Sequence, residues 1–242
     1  MQNKWYWIFR NIIFGPFLRV YNRPEIVGVD NIPSTGPAII ASNHQSVMDS
    51  FFLPLLCPRQ ITFLAKAEYF NGTTPVGRLQ KWFFTNVGQR PVNRTSASAG
   101  QDALNTAVEV LNDGDLFGIY PEGTRSPDGR LYKGKTGVAR IALASGAQVI
   151  PVAMIGTGDV NPIGTWFPRP GKVRVKVGDP IYPIEFVNNR GLERDSYEAI
   201  RALTDHIMHQ LQQLSGQEYA DVYAAEVKKA LAEGGDSSPH NP

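Results

Sequence analysis

The sequence predicts a single α/β domain with a mostly parallel sheet flanked by helices, preceded by an amphipathic helix at a membrane interface. Short apolar segments that suit buried strands alternate with segments of helical spacing. The chain has 242 residues, 42% of them apolar, which is enough for one sizeable core. We place the interfacial helix at residues 1–22, the domain at 23–232 and a flexible tail at 233–242, where small and polar residues dominate.

The N-terminal segment is apolar and aromatic but interrupted by Arg10, Pro16 and Arg19. It is too broken for a membrane-spanning helix, which needs about 20 mostly apolar residues. No small-residue cleavage site follows, so a secretory signal is not indicated. Aromatic rings among cations are typical of an interfacial helix. The residues predicted to contact the membrane are Trp5, Trp7, Ile8, Ile12 and Phe17. The alternative is a helix whose apolar face packs only on the domain.

The elements of the domain follow from periodicity and from turn signals. Apolar residues at intervals of three and four predict helices, whereas short apolar runs predict buried strands. Gly146 suits a helix C-cap, and residues 126–129 form a strong turn signal. The predicted elements are a strand and turn at 24–35, strands at 37–42, 62–65, 116–120, 149–155 and 172–177, and helices at 50–56, 96–112, 137–145 and 195–214.

Charge and cysteine content exclude several classes of function. The net charge is only +2, so the chain is not a general polyanion binder and no nucleic-acid partner is expected. Any anion site must be local. The single cysteine, Cys57, excludes an internal disulfide and favours a cytosolic setting. It lies in an apolar context, which is typical of a buried and inert thiol.

His44 and Asp49 are the first candidate catalytic residues. Five residues turn an α-helix by about 500°, so the two side chains meet only if His44 lies in a loop and Asp49 in the first helical turn. Ser46 supports that arrangement, because Ser46 and Asp49 have the spacing of a capping box. His44 would take a proton from a substrate hydroxyl, and Asp49 would orient the imidazole. The alternative is that Asp49 only caps the helix.

Residues 121–126 follow a predicted strand, where ligands of α/β proteins usually bind. Arg125 can hold a phosphate, Gly123 allows close approach of a ligand, and Glu122 can accept a hydrogen bond from a polyol hydroxyl. Lys66 and Arg94 also follow predicted apolar segments. Cations at the ends of neighbouring strands would form one phosphate pocket.

Two other patterns are weaker. Residues 129–136 fit G-x-x-x-x-G-K-[ST], but a true P-loop follows its strand directly, and the preceding strand ends nine residues earlier. His206 and His209 have a metal-ligand spacing without a further cysteine or histidine nearby, so no metal site is predicted.

With these residues in view, the chain resembles the glycerolipid acyltransferases of the 1-acylglycerol-3-phosphate acyltransferase type. The resemblance covers about residues 36–180. Asn43, His44 and Asp49 match N-H-x-x-x-x-D, and residues 121–126 match P-E-G-T-R-S without a change. Residues 88–94 and 149–152 are similar to the two remaining blocks of the family.

The resemblance implies transfer of a fatty acyl group from acyl-CoA or acyl carrier protein to lysophosphatidic acid, which gives phosphatidic acid. It implies that His44 is the base and that Asp49 orients it. It also implies that neither metal nor cofactor is needed. The residues expected to bind the phosphate and glycerol of the acceptor are Lys66, Arg94, Glu122, Gly123, Thr124 and Arg125.

Other functions remain open at this point. The acceptor can instead be glycerol 3-phosphate or another lysophospholipid. Two different classes are a P-loop nucleotide-binding protein and a non-catalytic lipid-binding protein. A lysolipid acceptor is drawn from a membrane, so we expect a peripheral protein on the cytoplasmic face.

Overall fold

A sheet of seven strands forms the centre of the computed structural model, which describes residues 3–92, 98–165 and 167–233. The strands are β1 (Glu25–Val27), β2 (Ala38–Ser42), β3 (Ile61–Lys66), β4 (Arg90–Val92), β5 (Leu116–Ile119), β6 (Leu131–Tyr132), β7 (Gln148–Ile155), β8 (Arg174–Val177) and β9 (Tyr219–Ala220). The large sheet has the order β1-β8-β7-β2-β5-β3-β4, and β6 pairs with β9 separately. Its strands from β7 to β4 are parallel, whereas β8 runs antiparallel to β7. The predicted α/β fold is therefore confirmed.

Helices cover both faces of this sheet. They are α1 (Lys4–Ile8), α2 (Phe14–Tyr21), α3 (Asp49–Leu56), α4 (Pro75–Asn86), α5 (Ala99–Asn112), α6 (Gly137–Ser145), α7 (Thr157–Val160), α8 (Pro183–Asn188), α9 (Tyr197–Ser215) and α10 (Ala224–Ala232). One hydrophobic cluster joins the sheet to α5, α6, α8 and α9, and a second joins it to α2 and α3. The central strand β2 is buried along its whole length, because both of its faces are covered.

The N-terminal helix is continuous but contains a π-helical turn at Phe9–Ile13, between α1 and α2. A β-carbon on Gly15 would overlap with the carbonyl oxygen of Arg10, so this turn requires glycine there. The helix is fixed to the end of α3. The Tyr6 hydroxyl donates to the Pro54 carbonyl at 3.1 Å, and Arg10 Nε donates to the Leu55 carbonyl at 2.9 Å. Arg10 therefore contacts the domain.

In the described part of the chain, four helices lie where the sequence pattern was not assigned to a helix, namely α4, α7, α8 and α10. Helix α4 begins after Thr74, whose side chain accepts the Gly77 N–H, and Pro75 occupies its first position. This is a standard helix start, and it lies upstream of the aromatic residues that dominate the segment. Helix α10 is rich in alanine and lies at the C-terminal end of the domain.

In the described part of the chain, no helix is both long enough and apolar enough to cross a bilayer. Among the sequence predictions, Arg94 lies outside the described residues, as does the tail beyond residue 233.

Candidate active site

The two sequence motifs meet at the carboxyl ends of neighbouring parallel strands. His44 follows β2, and Glu122 follows β5, which pairs with β2 along its length. The backbone N–H of His44 donates to Glu122 Oε1 at 2.9 Å, and the backbone N–H of Ser126 donates to the His44 carbonyl at 2.7 Å. The adjacent strand ends therefore hold the histidine loop and the 121–126 turn in direct contact.

His44 and Asp49 form a hydrogen-bonded pair, with 2.9 Å between His44 Nδ1 and Asp49 Oδ2. His44 lies in the loop and Asp49 is the first residue of α3, which is the arrangement that their spacing requires. Asp49 is fully buried, whereas the His44 side chain is 17% exposed. Within the described chain, His44 Nε2 makes no hydrogen bond. A carboxylate at Nδ1 favours the tautomer that leaves the Nε2 lone pair free to accept a proton.

Asp49 also organises the loop that carries the histidine. Its Oδ2 atom accepts the backbone N–H groups of Gln45 and Ser46 at 2.7 and 2.8 Å. The Ser46 hydroxyl in turn accepts the Met48 N–H at 3.1 Å. One carboxylate thus orients His44 and fixes the loop before α3, whereas the cap residue of α3, Met48, makes no side-chain cap hydrogen bond.

Tyr120 supports the imidazole from one side. Its ring stacks on His44 with 3.9 Å between ring centroids and an angle of 12° between the planes. Phe63 stacks in turn on Tyr120, with 5.4 Å between the two ring centroids. The sequence pattern predicts Tyr120 only as the last residue of a strand. Its position directly before Pro121 in the motif was the signal for a role at the site.

Glu122 is 1% exposed, and its two carboxylate oxygens accept the backbone N–H groups of His44 and Tyr132, at 2.9 and 3.0 Å. In this structure the side chain fixes the backbone around the site. Burial raises the pKa of Glu122 to about 7, although the two N–H donors act in the opposite direction. Its predicted contact with the acceptor stays a prediction.

The turn after β5 requires Gly123, which has a φ angle of 75°. Its N–H donates to the Tyr120 carbonyl at 2.9 Å and closes the turn. Thr124 and Arg125 are half-buried, and within the described chain their backbone N–H groups donate no hydrogen bond. The turn that contacts the histidine loop therefore carries the Arg125 side chain and two backbone N–H groups that donate no hydrogen bond within the described chain.

Asn43, the first residue of its motif, has a structural task that the sequence did not reveal. Its side chain donates to the Met154 carbonyl at 3.0 Å and accepts the Met154 N–H at 2.7 Å. It also donates to Gln217 Oε1 at 2.7 Å. Asn43 thereby joins the end of β2 to the end of β7. Its side-chain amide makes the hydrogen bonds to Met154 that a strand backbone would otherwise make.

The predicted phosphate ligands are distributed unevenly. Lys66 is exposed at the end of β3, at the same edge of the sheet as His44, but within the described chain no hydrogen bond or ion pair joins it to the motif residues. The role of Lys66 in phosphate binding therefore stays a prediction.

Residues 129–136 do not form a P-loop. Leu131 and Tyr132 are extended in β6, and the Lys133 N–H donates to the carbonyls of Ala220 and Val222, both at 3.1 Å. The N–H of Lys135 donates to the Pro121 carbonyl at 2.8 Å. A nucleotide cradle needs these N–H groups free to face phosphate. The geometry therefore gives the nucleotide-binding alternative no support.

An apolar surface lies along the N-terminal helix. Trp7, Ile12 and Phe17 are 49%, 59% and 54% exposed, whereas Ile8 is half-buried. Trp5 packs edge-on against Trp82 of α4, with 4.9 Å between ring centroids. Helix α4 extends the same aromatic region and exposes further apolar side chains, namely Val76, Leu79 and Trp82.

Residues 23–155 match the family described as Acyltransferase, which is more than half of the chain and includes both motifs. The chain belongs to the Acyltransferase family. The resemblance predicted from the motifs is therefore confirmed.

Several members of this family are similar over most of the chain. The chloroplastic 1-acyl-sn-glycerol-3-phosphate acyltransferase LPAT1 of Arabidopsis thaliana is 33% identical over 177 residues, 72% of this chain and 47% of that protein. The 1-acyl-sn-glycerol-3-phosphate acyltransferase of Bacillus subtilis is 27% identical over 201 residues, 81% of this chain and 87% of that protein. The chain spans about half the length of the plant relatives from Arabidopsis thaliana and Brassica napus.

The fold is also similar to a solved structure of the family. The crystal structure of the 1-acyl-sn-glycerophosphate (LPA) acyltransferase PlsC from Thermotoga maritima matches with a TM-score of 0.61 and 26% identity. The match covers 86% of this chain and 82% of that one.

Proposed function

We propose that this chain transfers a fatty acyl group from a thioester donor, acyl-CoA or acyl carrier protein, to the free hydroxyl of lysophosphatidic acid. The product would be phosphatidic acid. The observation that carries the proposal is the His44–Asp49 pair, with Nε2 unbonded within the described chain, in direct contact with the turn that holds Arg125. Relatives in this family named as 1-acyl-sn-glycerol-3-phosphate acyltransferases support the choice of acceptor.

The reaction needs a base, because a neutral alcohol is a weak nucleophile. His44 Nε2 takes the hydroxyl proton as the acceptor oxygen attacks the carbonyl carbon of the thioester. Asp49 stabilises the imidazolium that forms, as the acid does in a catalytic triad. When the tetrahedral intermediate collapses, the carbon–sulfur bond breaks and the proton on His44 passes to the leaving thiolate. A positioned base of this kind contributes about 10²–10⁴-fold in rate.

The negative charge on the intermediate needs hydrogen-bond donors. The N–H groups of Thr124 and Arg125 are unused within the described chain and lie in the turn that contacts the histidine loop. Fixed donors of this kind stabilise an oxyanion without reorganisation. We assign the phosphate of the acceptor to Arg125, whose guanidinium can make charge-assisted hydrogen bonds to two phosphate oxygens.

We further propose that the protein works at a membrane surface, on the cytoplasmic face, with the exposed apolar residues of the N-terminal helix against the lipid. A lysolipid acceptor resides in the bilayer, and aromatic side chains favour the headgroup region. Trp7, Ile12 and Phe17 form the surface that supports this proposal.

The test of the reaction is product identification by mass spectrometry. Purified protein is incubated with palmitoyl-CoA and, in parallel, with lysophosphatidic acid, glycerol 3-phosphate or lysophosphatidylcholine. Phosphatidic acid formed from lysophosphatidic acid at the highest kcat/KM is the expected result. A higher kcat/KM with glycerol 3-phosphate or lysophosphatidylcholine would show that this compound, not lysophosphatidic acid, is the preferred acceptor. The non-catalytic lipid-binding alternative would be supported if the protein bound liposomes but formed no acylated product with either palmitoyl-CoA or palmitoyl acyl carrier protein.

A further inference from the structure

Helix α10 brings a lysine to the active-site turn from a part of the chain beyond the residues that match the family. The family match ends at residue 155, whereas Lys228 lies near the middle of α10. Lys228 Nζ donates to the Thr124 hydroxyl at 2.9 Å. The pKa of Lys228 is lowered, first by partial burial and then by the positive charge of Arg125. The two cations are thus close enough to repel each other.

A third cation lies beside the same turn. The side chain of Lys135 runs along Gly123, and its Cδ and Cε atoms lie 3.1 Å from the position that a β-carbon on Gly123 would occupy. We call Arg125, Lys135 and Lys228 the cation group. Within the described chain, none of the three forms an ion pair with a carboxylate.

Glu122 does not form an ion pair with this group. Glu122 attracts Lys228 electrostatically, but its two oxygens already accept backbone N–H groups. Neighbouring cations of the same region are paired, as shown by Lys133 and Asp221, which are 2.9 Å apart. Arg125 and Lys228 repel each other without a carboxylate paired to either, and a bound anion would remove that cost.

The position of Lys228 is set by the fold. Strand β9 pairs with β6, so the segment before α10 is fixed to the residues that follow the active-site turn. Tyr132, Ala220 and Ala224 pack in a small buried cluster at the start of α10. The Gln217 side chain contacts Asn43 in the catalytic motif. The C-terminal segment is therefore anchored to both motifs.

We propose that Lys228 binds a phosphate group of a substrate, together with Arg125 and Lys135, so that α10 forms one wall of the substrate site. The inference rests on the proposed acyl transfer and names a further residue for it. Two sources of phosphate are available: the phosphomonoester of the acceptor and the nucleotide phosphates of CoA. Both are anions that a cluster of lysine and arginine recognises.

The test replaces Lys228 with a neutral side chain of similar length, Lys228→Met, and with Lys228→Arg. The matched control is Lys229→Met, since Lys229 is the next residue of α10 and is largely exposed, with only a loose contact of 3.9 Å to Glu233. A charge-assisted hydrogen bond contributes about 1.5–3 kcal/mol, so we expect KM for one substrate to rise at least about tenfold in Lys228→Met. Lys228→Arg should recover most of the loss, and Lys229→Met should match wild type.

Two arms separate the sources of phosphate. A higher KM for lysophosphatidic acid, with that for palmitoyl-CoA unchanged, would identify the acceptor phosphate. A higher KM for palmitoyl-CoA, but not for palmitoyl-pantetheine, which lacks the nucleotide, would identify the donor. Unchanged KM values for all three would overturn the inference. So would equal losses for all three together with a lower Tm, which would show that Lys228 only holds α10 in place.

Direct binding keeps this test independent of turnover. Isothermal titration calorimetry with glycerol 3-phosphate and with CoA measures the affinity for each phosphate source. Neither probe carries an acyl group, so no transfer takes place during the titration, and the inactive His44→Ala protein can be titrated as well. A weaker affinity of Lys228→Met than of Lys229→Met for either probe supports the phosphate site even if no acyl transfer is found. Equal affinities for both probes would refute it, whatever the activity.

Discussion

One oxygen of Asp49 accepts three hydrogen bonds, from His44 Nδ1 and from the backbone N–H groups of Gln45 and Ser46. Its other oxygen, Oδ1, is buried and has no partner within the described chain. The carboxylate thus holds the loop through a single atom. The orientation of the imidazole and the shape of the loop are set together, which explains why an acid at this spacing from the histidine serves both needs.

This asymmetry predicts different outcomes for two substitutions of Asp49. An asparagine can place its oxygen where Oδ2 lies and keep the three hydrogen bonds, but it removes the negative charge. We expect Asp49→Asn to lower kcat by about 10³–10⁴-fold, as in other triads, while Tm stays near wild type. Asp49→Ala should lose activity and also stability, because each buried N–H left without an acceptor costs about 1–3 kcal/mol. Wild-type kcat in a folded Asp49→Asn protein would contradict the role.

Glu122 predicts a pH dependence of stability. Burial raises its pKa from 4.5 to about 7, so between these values the folded protein binds a proton that the unfolded chain has released. The folded state therefore loses stability as pH rises through this window, by up to about 1.4 kcal/mol per pH unit. Urea unfolding of wild type and Glu122→Gln across that range isolates the effect. The variant should be less stable but should lack this slope, and parallel curves would contradict the assignment.

At the scale of single residues, the sequence predicts what is encoded locally. The spacing of His44, Ser46 and Asp49 was enough to place the histidine in a loop and the acid in the first helical turn, and the structure has this arrangement. Contacts between distant segments were not readable. Lys228 reaches Thr124 across 104 positions, and Asn43 reaches Gln217 across 174. Such contacts depend on the order of the strands in the sheet.

At the scale of elements, the N-terminal helix depends on the π-helical turn between α1 and α2. We expect Gly15→Ala to destabilise the protein by about 1–3 kcal/mol, because its methyl group would overlap with the Arg10 carbonyl. The control is Gly100→Ala in α5, where open space surrounds the added methyl group. That change should stabilise the protein by about 0.5–1 kcal/mol. Urea unfolding measures both, and a neutral Gly15→Ala would argue against the packing described for this turn.

The elements that the sequence predicted well are those with a clear period or a clear stop. Helix α6 ends at Gly146, which adopts the left-handed conformation expected of a C-cap. Strand β8 alternates between buried valines and basic residues, as predicted, and Glu25 of the neighbouring strand pairs with Lys172 and Arg174. Thr74 and Pro75 mark the start of helix α4, but the prediction did not use these two start signals. The antiparallel direction of β8 has no local signal.

At the scale of the whole molecule, an acceptor that comes from a bilayer needs both parts of the protein. In that case, the apolar surface of the N-terminal helix binds the membrane, and the active site binds the acceptor that leaves it. The triple substitution Trp7→Ser, Ile12→Ser and Phe17→Ser removes exposed apolar side chains from that helix. Full burial of one such side chain contributes about 1.5–3 kcal/mol, so we expect at least about a tenfold loss of affinity for anionic vesicles.

The control for vesicle binding is Tyr197→Ser, which removes another exposed ring. Tyr197 begins α9, which packs on the opposite face of the sheet from α2. Co-sedimentation with vesicles should be unchanged for this variant. Equal binding of the triple variant and wild type would show that the N-terminal helix serves only to cover the domain.

The central claim is that His44 is the base of an acyl transfer to a phosphate-bearing alcohol. The most direct measurement is thiol release from palmitoyl-CoA in detergent micelles, with and without lysophosphatidic acid, for wild type and His44→Ala, with Tm measured on both. We predict release by wild type that depends on the acceptor, and at least about a hundredfold slower release by a His44→Ala protein with wild-type Tm. Acceptor-dependent release at the wild-type rate by His44→Ala would contradict the account.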